Sequence, residues 1–474
     1  MTALQRSEPA PKTGIIHLGP GAFFRAFNAV FTQDAMDQTG GDWGITAVSL
    51  RSTTARDQLA PQDGMYHAVT LAPGGEVAQV IGSVTQVLVA PEDPAAVIAA
   101  MAAPDVKIVS LTITEKGYCH NPATGRLNLD HVDIQHDMAQ LDAPKSAIGF
   151  LVAGLAARRA KGLTPFTILS CDNLPSNGDL TKSMVLEFAR CVDADLADWI
   201  AEQVRFPATM VDRITPATTP EDVDRLHATT GLRDAAAVFH EPFKQWVIED
   251  RFVAGRPAWD AVGAQMVASV EAHELMKLRC LNGTHSALAY LGYLAGHQTI
   301  ADCAADPIFA GLCQHLWGRE ILPTVPQPEG EDLPAYAAAL LDRYRNPAIR
   351  HRTWQIAMDG SQKLPQRILG TIADNLAQGR DFSALALVVA GWMRYVGGID
   401  EQGGAIDVRD PLKDRLRAAT ETSDPVAALL ALDAVFPPDL AADARFRTAV
   451  QGAYEQLVAQ GARGAVASVI GEQQ

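Results

Sequence analysis

The sequence is poor in cysteine and has no metal-binding pattern. Its six cysteines are scattered over 474 residues without a CxxC pair or a short framework spacing. Such scatter is typical of buried, reduced thiols and disfavours a disulfide framework or a zinc site. No HExxH segment is present, and the pairs His240-Glu241 and His273-Glu274 each lack a further ligand nearby. We therefore expect a protein without a bound metal.

Clustered basic residues and apolar runs of membrane length are also missing. The formal net charge of -16 would repel a nucleic acid backbone. Apolar stretches such as residues 384–393 reach about half of the ~20 residues that a membrane span needs, and the first residues lack the apolar core of a signal peptide. We expect a cytoplasmic protein whose partner is a small molecule, not nucleic acid or a membrane.

The first half of the chain alternates short β-rich runs with helical patterns. The runs are GIIHLG at 14–19, GITAVSL at 44–50, KIVSLTI at 107–113 and FTILSC at 166–171. Nearly continuous apolar strands separated by helices indicate a parallel sheet covered on both faces. Residues 66–72 and 77–89, separated by Pro73, Gly74 and Gly75, predict an inserted antiparallel hairpin.

After about residue 270 the strand-like runs stop, and Ala, Leu, Arg and Glu recur at helical spacing. A chain of 474 residues also exceeds the ~250 to 300 residues at which a single core stops growing. We therefore predict two domains in an α/β protein: a doubly wound, Rossmann-type domain with insertions over residues 1–272, and an all-helical domain over residues 273–474.

The first predicted strand leads directly into a glycine turn and a helix. Strand, glycine turn and helix start together aim backbone N–H groups and the helix dipole at a pyrophosphate. Phe24 stands where GxGxxG has its third glycine, so the motif alone is weak, but it opens the first βα unit, which favours dinucleotide binding. The predicted cofactor contacts are Gly19, Gly21, Ala22, Phe23 and Arg25.

The end of the second strand bears on the choice of dinucleotide. An acidic residue there usually holds the ribose hydroxyls of NAD, whereas a nearby arginine accommodates the 2′-phosphate of NADP. This strand ends in Ser49-Leu50-Arg51-Ser52, without a carboxylate. We predict NAD as the cofactor with a contact from Arg51, and NADP stays open; an exposed arginine without a cofactor role is the alternative.

A lysine, an amide and an imidazole follow one another in Lys277-Leu278-Arg279-Cys280-Leu281-Asn282-Gly283-Thr284-His285. Oxidation of a secondary alcohol needs a base and a group that stabilises the oxyanion, and burial makes a lysine usable as the base. A straight α-helix would spread residues 277, 282 and 285 over ~140° and ~12 Å, so a break at Asn282-Gly283 or a long bridging substrate is required. The alternative is an ordinary helix with one solvent-reaching lysine.

A second polar cluster, Ser170-Cys171-Asp172-Asn173, follows the strand at 166–171. Open α/β sheets bind ligands at the carboxyl ends of their strands, so Asn173 is a candidate site residue. The alternative is a turn that uses asparagine, proline and glycine for backbone reasons alone.

Eight ordered segments resemble the polyol-specific long-chain dehydrogenases, the mannitol dehydrogenase family. They are HLGPGAFFRAF, SLTITEKGY, PKSAIG, SCDN, TMVDRITP, EPFKQWVIED, KLRCLNGTHSALAYLGYLAG and RHRTWQIAMDGSQKLPQR, and they extend over most of the chain. Many members have FHRAH after the glycine turn where this chain has Phe23-Phe24-Arg25-Ala26-Phe27, which leaves the cofactor contacts at that helix start open.

The resemblance implies a metal-independent, nicotinamide-dependent dehydrogenase that interconverts a secondary alcohol and a ketone. It implies that Lys277 is the acid/base, that Asn173 and Asn282 form the oxyanion hole, and that His285 orients the substrate. It also implies that Asp212 lies near the cofactor and that Lys363 lies near the substrate.

Within the family, several segments look closer to the fructuronate reductase branch, which interconverts fructuronate and D-mannonate, than to the mannitol branch. A uronate needs a cation for its carboxylate, and arginine matches a carboxylate with two hydrogen bonds. The candidates are Arg279, Arg352, Lys363 and Arg367; each could instead form a structural ion pair. Mannitol 2-dehydrogenase, an arabinitol or sugar-phosphate dehydrogenase, and a non-catalytic NAD-sensing protein stay as alternatives, and the oligomeric state stays open.

Overall fold

The computed structural model describes residues 4–121 and 124–471. The chain divides into two compact units, Met1–Glu271 and Ala272–Gln474. The strands of the described residues all lie in the first unit, and the second unit is built from helices.

The first unit contains one large parallel sheet and three small β-sheets. Its strands are β1 (Thr13–Leu18), β2 (Gly44–Ser49), β3 (Tyr66–Ala72), β4 (Gly75–Ile81), β5 (Val84–Val89), β6 (Ile108–Leu111), β7 (His120–Asn121), β8 (Arg126–Leu127), β9 (Thr167–Ser170), β10 (Thr209–Asp212), β11 (Val238–His240), β12 (Gln245–Glu249) and β13 (Gln265–Val267). Its helices are α1 (Ala22–Ala26), α2 (Asn28–Thr39), α3 (Thr54–Leu59), α4 (Pro94–Met101), α5 (Thr114–Gly117), α6 (Val132–Ala139), α7 (Ala147–Ala160), α8 (Asn177–Val192), α9 (Ala194–Gln203) and α10 (Pro220–Thr230), with short 3₁₀ turns at Ala60–Gln62 and Trp259–Val262.

The large sheet has the strand order β5-β2-β1-β6-β9, and its neighbouring strands are parallel. The four sequence runs predicted as strands form β1, β2, β6 and β9, so the predicted Rossmann-type α/β fold is confirmed. Successive side chains of a strand point to opposite faces. Ile16 and Ile168 therefore pack into one core, while Ile15 and Leu169 pack into a second core on the other face.

The predicted hairpin insertion is correct only in its first half. Strands β3 and β4 pair antiparallel as expected, but the rest of the predicted strand, Val84–Val89, is the edge strand β5 of the large parallel sheet. Two hydrogen bonds mark the change of sheet: Ile45 N donates to Ser83 O at 2.8 Å, and Ser83 Oγ donates to Ala29 O at 2.9 Å. Gly82 is the sequence signal that the run at 77–89 contains two strands.

The second unit contains helices of the α, π and 3₁₀ types. Its α-helices are α11 (Glu271–Met276), α12 (Thr284–Ala287), α13 (Ile300–Ala305), α14 (Pro307–His315), α15 (Leu333–Tyr344), α16 (Thr353–Ala357), α17 (Gly360–Leu364), α18 (Gly370–Ala377), α19 (Ser383–Val396), α20 (Lys413–Thr420), α21 (Pro425–Leu430), α22 (Pro438–Ala442) and α23 (Ala444–Gly471). Its π-helical segments are Lys277–Gly283, Leu288–Gly292, Leu316–Ile321 and Pro365–Leu369, and a 3₁₀ turn spans Leu322–Thr324. No helix within residues 4–121 and 124–471 combines the length and apolarity that a bilayer crossing requires.

Aspartate caps define where several of these helices begin. The carboxylates of Asp306, Asp332 and Asp424 accept hydrogen bonds from backbone N–H groups in the first turns of α14, α15 and α21. Each of these helices also has proline in its first two positions, where the missing N–H costs no helical bond. Some prolines in the helical half of the sequence therefore mark the start of a helix, as in α14, α15 and α21.

The helix with the Lys277 segment continues through residues 271–294. No break occurs at Asn282-Gly283, contrary to one of the two expectations from the sequence; the chain is instead π-helical over Lys277–Gly283. In a π-helix the hydrogen bonds join residues five apart, so Lys277 and Asn282 lie one turn apart along the helix. The π-helical turn thus places Lys277 and Asn282 one above the other along the helix, which a straight α-helix would not do.

The six cysteines form no disulfide, and five of them are buried. Burial raises the pKa of the Cys119 thiol to about 11 and that of Cys280 to about 12. Both therefore stay protonated and unreactive at neutral pH. Cys191, near the end of α8, is exposed.

Candidate active site

The glycine turn after β1 has a backbone that only glycine can adopt without strain at its first position. Gly19 has φ of +92°, and a Cβ there would lie 2.3 Å from the carbonyl oxygen of Thr112. Its N–H donates to Val48 O at 3.0 Å, which fixes the turn to the end of β2. A Cβ on Gly21 would meet only Gly19 O at 3.9 Å, so the space above this residue is open to a ligand.

A buried histidine supports the turn from below. The His17 ring nitrogens lie 2.8 Å from Ser110 Oγ and 2.9 Å from Thr112 Oγ1, and the ring stacks on Phe24 with 3.7 Å between centroids. Burial lowers the pKa of His17 to about 3, so the imidazole is neutral at physiological pH. Phe24, which replaces the third motif glycine, therefore holds the imidazole that links β1 to β6.

A cleft of about 390 Å³ opens beside the turn. Predicted cofactor residues Gly19, Gly21, Arg25 and Arg51 line it. Among the described residues that line the cleft none is acidic, while Arg25, Arg51 and Lys145 are basic. The glycine turn, the open space above Gly21 and the positive lining fit the pyrophosphate of a dinucleotide.

The two predicted arginines of the cleft have different surroundings. Arg25 donates to Ala236 O at 3.0 Å and to Gln58 Oε1 at 3.3 Å, and burial lowers its pKa. The exposed Arg51 pairs with the largely buried Asp133 at 2.8 Å. Arg25 is thus held rigidly, whereas Arg51 presents its guanidinium to solvent from the end of β2.

Three other predicted cofactor residues are not among those that line this cleft. Ala22 and Phe23 lie in the first turn of α1, and Phe23 stacks on Phe27 with centroids 5.0 Å apart. Asp212 ends β10, which belongs to a different sheet, and is only 4% exposed. Their cofactor contacts stay predictions.

The loop after β9 exposes Asn173 and is fixed by two neighbouring polar residues that the sequence analysis did not select. The carboxylate of Asp172 accepts hydrogen bonds from Ile113 N, Thr114 N and Tyr118 Oη at 2.7–3.0 Å, and burial raises its pKa. Asn177 is fully buried and bonds the carbonyl of Asp172 and both backbone groups of Thr209. The SCDN segment is therefore fixed to the carboxyl ends of β6 and β9 and to the amino end of β10, and Asn173 is exposed on this loop.

In the helical unit, the structure places Lys277, Asn282 and His285 on one helix. Lys277 is 8% exposed and His285 is 6% exposed, while Asn282 is half-buried. The π-helical turn between Lys277 and Gly283 sets their spacing. Single-turn π segments are frequent at functional sites, which agrees with a chemical role for this helix.

His285 is a neutral imidazole in a positively charged environment. Its ring lies 4.7 Å from the Tyr344 ring and 5.3 Å from the His351 ring, centroid to centroid. Burial, with the added charges of His351, Arg343, Arg367 and Lys277, lowers the pKa of His285 far below its usual range. Its Nε2 is buried and has no hydrogen-bond partner among the described residues. This nitrogen is available to a substrate hydroxyl.

The four basic residues predicted for substrate binding have different environments. Arg279 pairs with Asp374 at 2.6 Å and donates to Thr324 O at 2.9 Å. Arg352 is exposed and lines a surface pocket with Thr299, Asp302 and Arg350.

Lys363 and Arg367 both lie close to His351, and Arg367 also acts on His285. Lys363 donates to Met358 O at 2.6 Å and to Ile356 O at 3.2 Å, and burial with the nearby charge of Arg367 lowers its pKa to about 8. Arg367 donates to Ser286 Oγ at 3.3 Å. Both charges lower the pKa of His351, which burial brings to about 4.

Gly283, which the sequence suggested only as part of a helix break, lies where two π-helical segments meet. A Cβ on Gly283 would lie 3.1 Å from the carbonyl oxygen of Arg367. The segment Pro365–Leu369 therefore passes directly over Lys277–Gly283, and Arg367 reaches Ser286, the residue after His285.

Comparisons with known proteins agree over nearly the whole chain. Residues 13–261 match the model of the mannitol dehydrogenase Rossmann domain, and residues 269–458 match that of the mannitol dehydrogenase C-terminal domain. The chain is 49% identical over 462 residues to D-mannonate oxidoreductase of Escherichia coli (strain K12), covering 96% of this chain and 95% of that protein.

Mannitol 2-dehydrogenases are also similar. That of Aspergillus fumigatus (strain CBS 144.89) is 41% identical over 462 residues, covering 95% of this chain and 92% of that protein. The solved structure of Pseudomonas fluorescens mannitol 2-dehydrogenase, a ternary complex with NAD and D-mannitol, is 38% identical with a TM-score of 0.86, covering 98% of this chain and 95% of that chain.

Proposed function

This chain belongs to the mannitol dehydrogenase family and is an NAD-dependent secondary-alcohol dehydrogenase acting on a polyol or sugar acid, and we propose that its substrate pair is fructuronate and D-mannonate. The observation that carries the proposal is the group of basic side chains around His285, which suits an anionic sugar. The greater identity to D-mannonate oxidoreductase than to the mannitol 2-dehydrogenases, 49% against 41%, supports the same choice.

We propose Lys277 as the acid/base of the reaction. Bound NADH would supply the hydride for the ketone carbon. Protonated Lys277 gives a proton to the carbonyl oxygen in reduction, and neutral Lys277 takes it back in oxidation. The burial of Lys277 on the same helix as Asn282 and His285 supports this role.

The remaining roles concern positioning. Asn173 and Asn282 are proposed to donate hydrogen bonds to the carbonyl oxygen, on which negative charge develops in the transition state. His285 is proposed to bind a substrate hydroxyl through Nε2, a role supported by its burial and its lack of a protein partner. The glycine turn and the basic cleft of the first unit would hold the dinucleotide.

The test is NADH oxidation by the purified protein with fructuronate, tagaturonate and fructose in parallel, with and without EDTA. We expect EDTA-resistant turnover, with kcat/KM for fructuronate well above that for fructose. A preference for tagaturonate would replace the proposed substrate by another ketohexuronate.

Mannitol 2-dehydrogenase activity is the second candidate, favoured by the structural similarity to the Pseudomonas fluorescens enzyme. A preference for fructose in the same assay would establish it. Absence of turnover with every substrate would contradict both activities and favour a non-catalytic NAD-binding role.

A further inference from the structure

We propose that the Arg367 guanidinium binds the carboxylate of the substrate and thereby selects a sugar acid over a neutral polyol. This inference rests on the proposed function and goes beyond it by assigning the carboxylate to one of four basic residues. The four cations differ in the groups that already offset their charge within the helical unit.

Two of the four cations already interact with a carboxylate or with water. Arg279 has its charge balanced by Asp374 at 2.6 Å and a second bond to Thr324 O. A ligand carboxylate would therefore have to compete with the half-exposed carboxylate of Asp374, which already offsets this charge. Arg352 is exposed in a surface pocket beside Asp302, so water already solvates it.

Lys363 is held by the protein itself. Its ammonium donates to the carbonyl oxygens of Met358 and Ile356, and the carboxylates of Asp359 and Asp410 act on it electrostatically. Two of its three donors are thus used, and nearby acids offset its charge. A lysine in this state can add to the positive potential of the site, but it is a poor primary receptor for a carboxylate.

Arg367 is partly buried, unlike Arg352, and it has no acidic partner among the described residues. Within the described residues its guanidinium donates one hydrogen bond, to the neutral Ser286 Oγ at the long distance of 3.3 Å. The other groups that act on its charge are the phenols of Tyr290 and Tyr344, and burial lowers its pKa. A desolvated guanidinium without a counter-ion is costly to maintain, and a bound carboxylate would remove that cost.

The groups beside Arg367 also lack partners. His285 Nε2 and His351 Nδ1 are both buried without a hydrogen bond among the described residues, and the two rings are in edge contact at 5.3 Å. Tyr290 Oη is likewise buried and unpartnered in the described part of the chain. Unpartnered polar atoms around an unneutralised cation are what a site for a polyhydroxylated anion requires.

The experiment compares kcat/KM for fructuronate with kcat/KM for fructose in wild type and in Arg367→Met, which keeps side-chain bulk but removes the charge. A hydrogen bond to a charged group corresponds to roughly 10- to 150-fold. We therefore expect the fructuronate-to-fructose ratio to fall by that factor, because fructose has no carboxylate for the guanidinium to bind.

Three further variants make the result specific. Arg345→Met removes an exposed arginine at the end of α15 and should leave the ratio as in wild type. Arg352→Met tests the exposed rival; a selective loss of fructuronate there instead of in Arg367→Met would overturn the proposal. Arg367→Lys keeps a charge but loses the two-pronged geometry, so its ratio should lie between those of wild type and Arg367→Met.

The failures can be told apart. If wild type does not reduce fructuronate, the proposed function is wrong. If wild type reduces it and the Arg367→Met ratio equals that of wild type, the function stands and the assignment of Arg367 is wrong. Should Arg367→Met not fold, the Arg367→Lys ratio decides: an unchanged ratio again contradicts the assignment.

Discussion

Removal of the Lys277 side chain should slow the chemical step without weakening the binding of NADH. Replacement by alanine removes the proposed proton donor, and general acid–base catalysis is commonly worth about 10²- to 10⁴-fold. We expect Lys277→Ala to lose kcat by about that factor while its Kd for NADH, measured by fluorescence titration, stays close to wild type. Lys413→Ala, at an exposed position of α20, is the control. Wild-type turnover in Lys277→Ala would contradict the lysine mechanism.

Substitution of Arg51 should change the preference of the enzyme between NADH and NADPH. It pairs with Asp133 and lines a cleft that has no acidic residue among its described lining. Arg51→Asp would place a carboxylate where it can accept from ribose hydroxyls and repel a 2′-phosphate. We expect the ratio of kcat/KM for NADH to that for NADPH to rise about tenfold or more, since one such charge effect exceeds 1.4 kcal/mol.

The matched control is Arg56→Asp, because Arg56 pairs with Asp57 and Glu92 and is not among the residues that line the cleft. An equal change of the cofactor ratio in both variants would show a general effect of surface charge, and Arg51 would then have no specific contact with the ribose.

At the scale of single residues the sequence suggests candidates but not their environments. The Lys277, Asn282 and His285 segment could be recognised because three chemically useful side chains follow one another. Arg279, Arg352, Lys363 and Arg367 could not be ranked, because a cation's value to a substrate depends on the acids around it. Asp374, which neutralises Arg279, lies 95 residues further along the chain. His17 did carry a signal, a lone polar residue inside the apolar run IIHL.

Among the elements, the crossing of the two π-helical segments is sensitive to added volume. Gly283→Ala would place a methyl group 3.1 Å from Arg367 O, so Pro365–Leu369 must move. Overpacking of this kind costs about 1–3 kcal/mol. We expect a lower thermal midpoint and, because Arg367 and Asn282 shift together, about a tenfold loss of kcat/KM.

Gly452→Ala supplies the control for this prediction. Gly452 lies within α23, and a Cβ there meets nothing within 4 Å. The substitution should raise the free energy of unfolding by about 0.5–1 kcal/mol through helix propensity, with unchanged kinetics. If Gly283→Ala behaves like Gly452→Ala, close packing at the crossing does not position the site.

The elements also show where sequence patterns stop being informative. The parallel strands were predictable because each buried run is short, apolar and bounded by turn residues. The division of residues 77–89 between two sheets could not be predicted. An alternating run fits either an antiparallel hairpin or the edge of a parallel sheet until its hydrogen-bond partner is known. The π-helical turn could not be predicted from the sequence either, because one widened turn leaves the apolar spacing of a helix almost unchanged.

For the whole molecule, several buried neutral histidines predict a loss of stability in mild acid. Burial lowers the pKa of His17 and His240 to about 3 and that of His351 to about 4. Below pH 6.5 the unfolded chain protonates these residues while the folded chain does not, so stability is full above pH 6.5 and falls as pH decreases toward 4.

We expect each of these histidines to contribute a loss of about 1 kcal/mol in the free energy of unfolding between pH 7.5 and 5.5. Urea denaturation at both pH values measures this difference. His17→Asn, compared with wild type at each pH, should show a smaller difference even if it is less stable overall. An equal difference in both proteins would contradict a neutral His17.

The distribution of thiols has a practical consequence. Of the six cysteines only Cys191 is exposed, and it lies near the carboxyl end of α8. A maleimide reagent applied to the native enzyme should therefore couple to one position, without mutagenesis. A fluorophore attached there would report on the nucleotide-binding unit alone, so cofactor titrations could be followed optically during turnover.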